Sequence, residues 1–467
     1  MLFHIMKKEM LLNLVSFRFI ISIILLFILV VGSMNIMAVN YSRRLQDYSV
    51  SADMHATDLA STNSRPQFEA FGVTKDPRPA LLGIFSIGLD PQMGRSINIP
   101  GYAMPSEQRG NGRIVFSISK LAGVQPEGSK YSNPIFNLFQ PPDFVYIVNI
   151  VLSLLAILFA FDCISGEKEN QTLKLMLTNS IPRDIILFGK WIGGTLSILI
   201  PFVFSFMVGM LTLLVRPNIN LTSDAGARIM IMVGLSMLYI TVFFLIGMVC
   251  STFSARSSTA LITSLFVWVF FVLVVPNIAP VISRQFVAIK SSDSIVRESE
   301  RIESDEMHKI WNGQGSDDEK HKRWESLRNE LPKKIAALED SWLRRLENQV
   351  SLAMNISRIS PSAAFVYASS AIAGTGVGDY KKSRDEVLRY RELLGENRRN
   401  FLLDDKTKPI PMLYINIDLS KVPVFEDRRL DLTSSISSAL VDFAILAVYL
   451  VVLFMIAFLK FLNYDVK

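Results

Sequence analysis

The residues with the clearest chemical pattern lie between Phe161 and Lys190, in the run FDCISGEKENQTLKLMLTNSIPRDIILFGK. Glu167 and Glu169 fall in what would be the first turn of a helix, where carboxylates suit the positive end of the helix dipole. Lys168 stands between them. Leu173, Met176 and Leu177 follow at three- and four-residue spacing and draw a short apolar stripe. Asn179 and Ser180 break the pattern, and Pro182 sits at the opening of the next helix, where a proline is tolerated. None of this makes or breaks a covalent bond. A short amphipathic helix of this kind has two uses: it lies on a lipid surface, or it docks onto a partner.

Bond-making chemistry finds no foothold elsewhere in the 467 residues. No GxxxxGK[ST] sequence is present, so the chain has no P-loop with which to hydrolyse ATP. The glycines of RGNGR at 109–113 lack that pattern and read as a hairpin turn. No HExxH, paired-cysteine or Ser-His-Asp pattern appears. The four histidines, His4, His55, His308 and His321, have no metal-ligand spacing. Cys163 and Cys250 fall at the ends of apolar runs, and neither large polar segment contains cysteine, so no disulfide framework is expected. The expectation is a non-catalytic chain with no metal or cofactor of its own.

The elements that must position the charged run are membrane helices. Half of the residues are hydrophobic and the mean hydropathy is +0.34, above ordinary globular usage. The excess is concentrated in blocks long enough to cross a bilayer, at 19–39, 144–161, 185–215, 229–250, 259–282 and 439–459. The fold class is therefore an α-helical polytopic membrane protein with six transmembrane helices. The span at 185–215 contains Pro201, where a kink is expected. Pro276 and Pro280 near the end of the fifth span predict a broken, partly re-entrant end. Asp442 in the sixth span is expected to be solvated at the interface, with a role in a transport pathway as the alternative.

The flanking segments divide the rest. Residues 1–18 form an interfacial helix with Leu2, Ile5, Met6, Met10, Leu11 and Leu14 on its apolar side and Lys7, Lys8 and Glu9 on the other. Residues 40–143 carry short β-like runs at 81–89, 95–99 and 113–119, punctuated by proline and glycine. Residues 284–432 hold 26 Lys/Arg and 25 Asp/Glu, a balance that excludes a polybasic nucleic-acid face. Trp324, Leu327, Leu331, Leu338, Trp342 and Leu346 recur there at near-helical spacing and read as a helix core. Between its helical parts lies the small-residue run ISPSAAFVYASSAIAGTGVGD at 359–379, which either packs on the spans or forms a turn. A further β-like run is expected at 412–424. The two segments are expected to combine as an α+β ectodomain.

Orientation follows from loop charge. Residues 1–18, 162–190, 251–258 and 460–467 contain ten Lys/Arg, against two in 216–228. Basic short loops stay on the cytoplasmic side. The resulting map has cytoplasmic residues 1–18 and 461–467, transmembrane segments at 19–39, within 144–283 and at 433–460, and extracytoplasmic segments at 40–143 and 284–432. The charged run at 164–180 then lies in the cytoplasm.

Glu167, Lys168, Glu169, Thr172, Leu173, Leu175, Leu177, Pro182, Arg183, Gly189 and Lys190 together resemble the ABC-2-type family of ABC transporter permeases, in its long-ectodomain branch. Family members usually have glycine before the Thr-Leu pair, where this chain has Gln171. The resemblance implies that 164–180 is a coupling helix that receives force from a separate ATPase dimer, with Glu167, Lys168, Glu169, Thr172, Leu173, Met176, Leu177, Pro182 and Arg183 as its contact residues. It further implies that ATP and Mg are held by that partner, that the first helix is a second contact with it, and that a second permease copy or a paralogous permease completes the pathway. The expected function is a bacterial inner-membrane exporter subunit surrounded by lipid. The alternative is a non-transporting machine whose ectodomain acts on a periplasmic or outer-membrane partner. A secondary transporter would need inverted repeats and intramembrane charges, and beyond Lys190 at the opening of the third span and Asp442 in the sixth the sequence displays neither.

Overall fold

The computed structural model describes residues 2–61, 73–93, 97–99, 142–178, 182–217, 219–312, 316–401, 418–425 and 429–463. Among them, six helices are long and apolar enough to cross a membrane. Helix α1 (Leu2–Val15) turns at Ser16 into α2 (Phe17–Ser61). Helix α3 covers 144–160, as Phe144–Ile147, a π-helical turn Val148–Leu152, and Ser153–Ala160. The short α4 (Ser165–Glu169) and α5 (Thr172–Thr178) lead to α6 (Arg183–Leu214) and α7 (Ser223–Phe253). Helix α8 (Ser257–Phe286) contains a second π-helical turn, Phe270–Val274. Outside the spans are α9 (Ser292–Trp311), α10 (Asp317–Ser357), α11 (Pro361–Ala373) and α12 (Val377–Phe401), before the last span, α13 (Leu432–Leu462).

Several expectations change. The helix that carries the first span does not stop at 39: α2 runs 45 residues to Ser61, about 68 Å at 1.5 Å per residue, far longer than a bilayer core. The described residues contain little β-structure. Strands β1 (Val73–Lys75) and β2 (Ile97–Ile99) form one antiparallel ladder of three residues each, so the described residues do not confirm the α+β ectodomain. The run at 81–89 is a 3-10 turn, Leu81–Ile84, because Gly88 adopts φ +45° and its α-carbon sits against Thr375, where a Cβ would lie 2.5 Å from the Thr375 carbonyl oxygen. The runs at 109–113 and 113–119 lie outside the described residues. So does most of 412–424, whose described end holds the 3-10 turn Leu419–Lys421.

The fifth span is not broken at its prolines either. The π-helical turn Phe270–Val274 precedes Pro276, and the helix continues to Phe286. A π-turn widens the backbone, which relieves the clash between a proline ring and the preceding turn but frees a carbonyl. Ser360 Oγ donates to the Phe271 carbonyl. At the other π-turn, the Asn149 carbonyl accepts from Ser153 Oγ at 2.5 Å and from the Tyr239 hydroxyl at 2.9 Å. Asn149 Oδ1 lies 2.8 Å from that hydroxyl and takes Ser362 Oγ at 2.7 Å, while Trp268 Nε1 donates to Ser153 Oγ at 2.8 Å. The polar groups at the two π-turns are thus paired, as the absence of water at that depth demands.

The small-residue run packs on the spans. Helix α11 is capped by Ser360, whose Oγ accepts the Ser362 N–H at 3.0 Å, and is closed by Gly374 at φ +71°. Thirteen residues are too few to cross a bilayer. Ala363, Ala364, Ala368 and Ala373 let it approach α7 and α13 closely, and Phe365 stacks on Tyr239 at 4.3 Å. Beside it, Asp442 is 1% exposed, not solvated. Its two oxygens accept from Arg358 at 2.6 and 3.1 Å, which keeps the charge paired as a buried carboxylate requires.

Helices α9 and α10 form an antiparallel hairpin with a small core of Ile310, Leu327, Leu331 and Ile335. Glu303 is buried there, its Oε1 has no hydrogen-bond partner among the described residues, and burial followed by nearby Glu300 pushes its pKa up to about 7. Between about pH 4.5 and 7 the folded hairpin holds a proton that the unfolded chain releases, so stability falls as pH rises through that window. Amide exchange in α9, corrected for intrinsic rates, is expected to be faster at pH 8 than at pH 5.5. Glu303→Gln should abolish the difference.

Candidate coupling site

At one end of the bundle, α4 is bonded to three other helices. Ser251 Oγ on α7 accepts the N–H groups of Ile164 and Ser165 at 3.0 and 2.9 Å, satisfying donors that a helix start leaves open. Lys168 Nζ donates to the Thr252 and Ser254 carbonyls at 2.5 and 3.1 Å, where α7 ends and a cation suits the dipole. Glu169 Oε2 accepts the Ser257 N–H at 3.1 Å, where α8 begins and an anion suits it. One short charged segment therefore caps both sides of the α7–α8 turn.

Glu167 points inward instead. Its Oε1 lies 2.7 Å from Lys190 Nζ on α6, and Glu9 Oε1 on α1 lies 2.7 Å from the same nitrogen. Lys190 is 2% exposed. Glu9, which the sequence pattern assigns to the polar side of the first helix, is the buried residue of α1. The close approach has a cause in α6. A Cβ at Gly189 would meet the Ile5 side chain at 2.7 Å, and one at Gly193 would meet the Met6 carbonyl oxygen at 2.8 Å. Glycines four residues apart let two helix backbones touch. Asn13 Nδ2 adds a bond to Ser197 Oγ at 3.2 Å, and Arg18 pairs with Asp162 at 2.8 Å across the start of α2 and the end of α3.

The helix expected over 164–180 is two helices. Gln171 between them has φ +60°, a left-handed conformation that glycine adopts without a Cβ penalty. The glycine that the resemblance implies at this position would have a physical reason. Gln171→Gly is expected to stabilise this junction by about 1 kcal/mol, read as slower exchange of the Thr172 and Leu173 amides. Unchanged protection would show that the turn is held by other means.

The apolar stripe is also divided. Leu173 is 1% exposed and belongs to the protein's own core, with Met176 packed partly against it. The Leu177 side chain lies outside the described residues. Leu175, off the expected stripe, is 70% exposed, and Thr172 and Lys174 are exposed beside it. Pro182 is the N-cap of α6, and Arg183 donates to the Leu462 carbonyl at the end of α13. The structure therefore brings Glu167, Lys168, Glu169, Leu173 and Arg183 into intramolecular bonds or core. Sequence reasoning missed Glu9, Ser251 and Ser257 as their partners. Lys190 in an otherwise apolar run was the available signal, since such a charge needs a carboxylate nearby.

Comparison with known proteins places this geometry in context. The profile of "ABC-2 family transporter protein" matches residues 3–466. A "Probable ABC transporter permease protein NosY" of Pseudomonas aeruginosa is 32% identical over 128 residues, 27% of this chain and 46% of that protein. One of the same description from Stutzerimonas stutzeri is 34% identical over 131 residues, with the same shares. The chain spans about half the length of these curated relatives.

Proposed function

The chain belongs to the ABC-2 family of transporter proteins, and from that premise we propose that it is the membrane-spanning permease subunit of a bacterial ABC exporter, driven by a separate ATPase dimer that binds ATP and Mg. The observation that carries the reading is the anchorage of α4. A segment bonded to α6, α7 and the start of α8, continuing into an exposed α5, is arranged to pass a push on its surface into the spans. Thr172, Lys174 and Leu175 present the contact surface. Glu167, Lys168, Glu169 and Leu173 fix the segment to the frame, and Pro182 and Arg183 fix the start of α6 that follows it. This revises the expectation that Leu173 is a contact residue for the ATPase.

The end carrying α4, α5 and both termini faces the cytoplasm, where its basic loops are retained. Residues 40–143 and 284–432 lie outside, and a second permease subunit completes the pathway in the inner membrane. Purified alone, the chain is expected to hydrolyse no ATP, since it has no P-loop. A cognate ABC ATPase should bind it and hydrolyse faster when bound. Robust hydrolysis by the isolated, contaminant-free chain overturns the reading.

One feature favours the non-transporting alternative, in which the ectodomain acts on a periplasmic or outer-membrane partner. Helix α10 has 41 residues, about 60 Å, and pairs with α9 in a hairpin with its own core. Shortening that hairpin separates the two: transport survives if the chain is an exporter with an accessory arm, and function stops with ATP hydrolysis intact if the arm is the output.

A further inference from the structure

The Glu9–Lys190–Glu167 cluster joins three elements that are remote in sequence: α1, α6 and α4. Each carboxylate reaches the ammonium at 2.7 Å, and the ammonium is 2% exposed. Glu167 Oε2 is itself buried and accepts no hydrogen bond among the described residues. Static stability is a poor reason for such a cluster, because apolar residues of similar volume usually do as well. What one lysine between two carboxylates provides is a directional, short-range tie between moving parts. The tie has a geometric complement in Gly189 and Gly193, which bring the α1 backbone against α6 on either side of Lys190.

We propose that Lys190 is a positioning residue for force transmission: with Glu9 and Glu167 it makes α1, α4 and the start of α6 a single body, so that a push on α4 and α5 moves α1 and the third span together. This deepens the permease reading and rests on it. Lys168 and Glu169 extend the same body to the α7–α8 turn. Helix α1 is then more than a membrane float. It is tied to the segment that receives the push.

The test uses the full chain assembled with its ATPase in lipid nanodiscs, with Cys163 and Cys250 replaced by alanine and spin labels at Leu12 on α1 and Asn170 at the end of α4. The parent is compared with Glu9→Gln/Lys190→Met/Glu167→Gln, which removes all three charges together and avoids stranding one. The Leu12–Asn170 distance distribution is measured with and without ADP-vanadate trapping. In the parent it is expected to stay unchanged on trapping. In the triple variant it should match the parent at rest, with similar thermal stability, but shift and broaden on trapping. A purely structural role would leave the trapped variant like the trapped parent, and that result overturns the proposal. So does a shift in the parent itself. Failure of the ATPase to bind the parent is a different outcome: it removes the permease reading, and the proposal falls with it.

Discussion

Lys190→Met alone is expected to destabilise the protein by about 3–5 kcal/mol, the cost of leaving buried charge uncompensated. The substitution removes the common partner of Glu9 and Glu167, both held at 2.7 Å. Two carboxylates would then face each other with no cation between them, beneath a helix packed against Gly189 and Gly193. One of them must take up a proton or α1 must lift away. Folded protein surviving a heating series should drop sharply, and α1 should become susceptible to protease. The neutral triple variant should recover most of the loss, because the penalty lies in the stranded charges and not in the missing bonds. A Lys190→Met protein as heat-resistant as the parent would show that the cluster is not buried as described.

Arg358→Ala is the second large effect, again about 3–5 kcal/mol, because it leaves Asp442 unpaired inside the sixth span. Asp442 is 1% exposed and its two oxygens have Arg358 at 2.6 and 3.1 Å. The guanidinium also stands 6.0 Å from the Tyr367 ring centroid, so Lys in its place would lose the two-pronged geometry. Arg358→Met with Asp442→Leu should come close to parental stability. Heat-challenged, detergent-solubilised protein followed by size-exclusion chromatography reads both. Equal losses in the single and double variants would mean that packing, and not charge, holds α10 to α13.

Much of the architecture was legible because membrane spans are a composition signal. Long, predominantly apolar runs have few alternatives, and the six spans fall where those runs lie. Their ends were less legible. Nothing in the apolar count says that α2 continues past the bilayer to Ser61, since a polar helix extension carries no hydrophobic signature. The β-like run at 81–89 failed for a tertiary reason: Gly88 turns to meet Thr375, a residue far along the chain. Prolines in the fifth span suggested a break, yet a π-turn and a hydroxyl from Ser360 accommodate them.

The candidate site was half legible. Its acidic start was visible in the charge pattern. The direction of each side chain was not, because it depends on partners remote in sequence. Glu9 was read as solvent-facing since it adjoins Lys7 and Lys8, but Lys190 draws it inward. Leu173 and Leu175 differ by two positions and exchange roles, one in the core and one on the surface. The break at Gln171 was not marked by the helical spacing, and its left-handed φ is one that glycine adopts more readily than glutamine.

The most direct measurement is ATPase capture by two surface variants. Lys174→Glu and Leu175→Asp alter exposed side chains on α5 and leave the Glu9–Lys190–Glu167 cluster intact. Both proteins should insert and resist heat as the parent does. A carboxylate buried without a partner at an interface is costly, so Leu175→Asp should weaken capture of the ATPase by at least about tenfold, with Lys174→Glu weakening it less. Parental capture by Leu175→Asp, in a protein of parental stability, would contradict the claim that α5 is where the ATPase pushes.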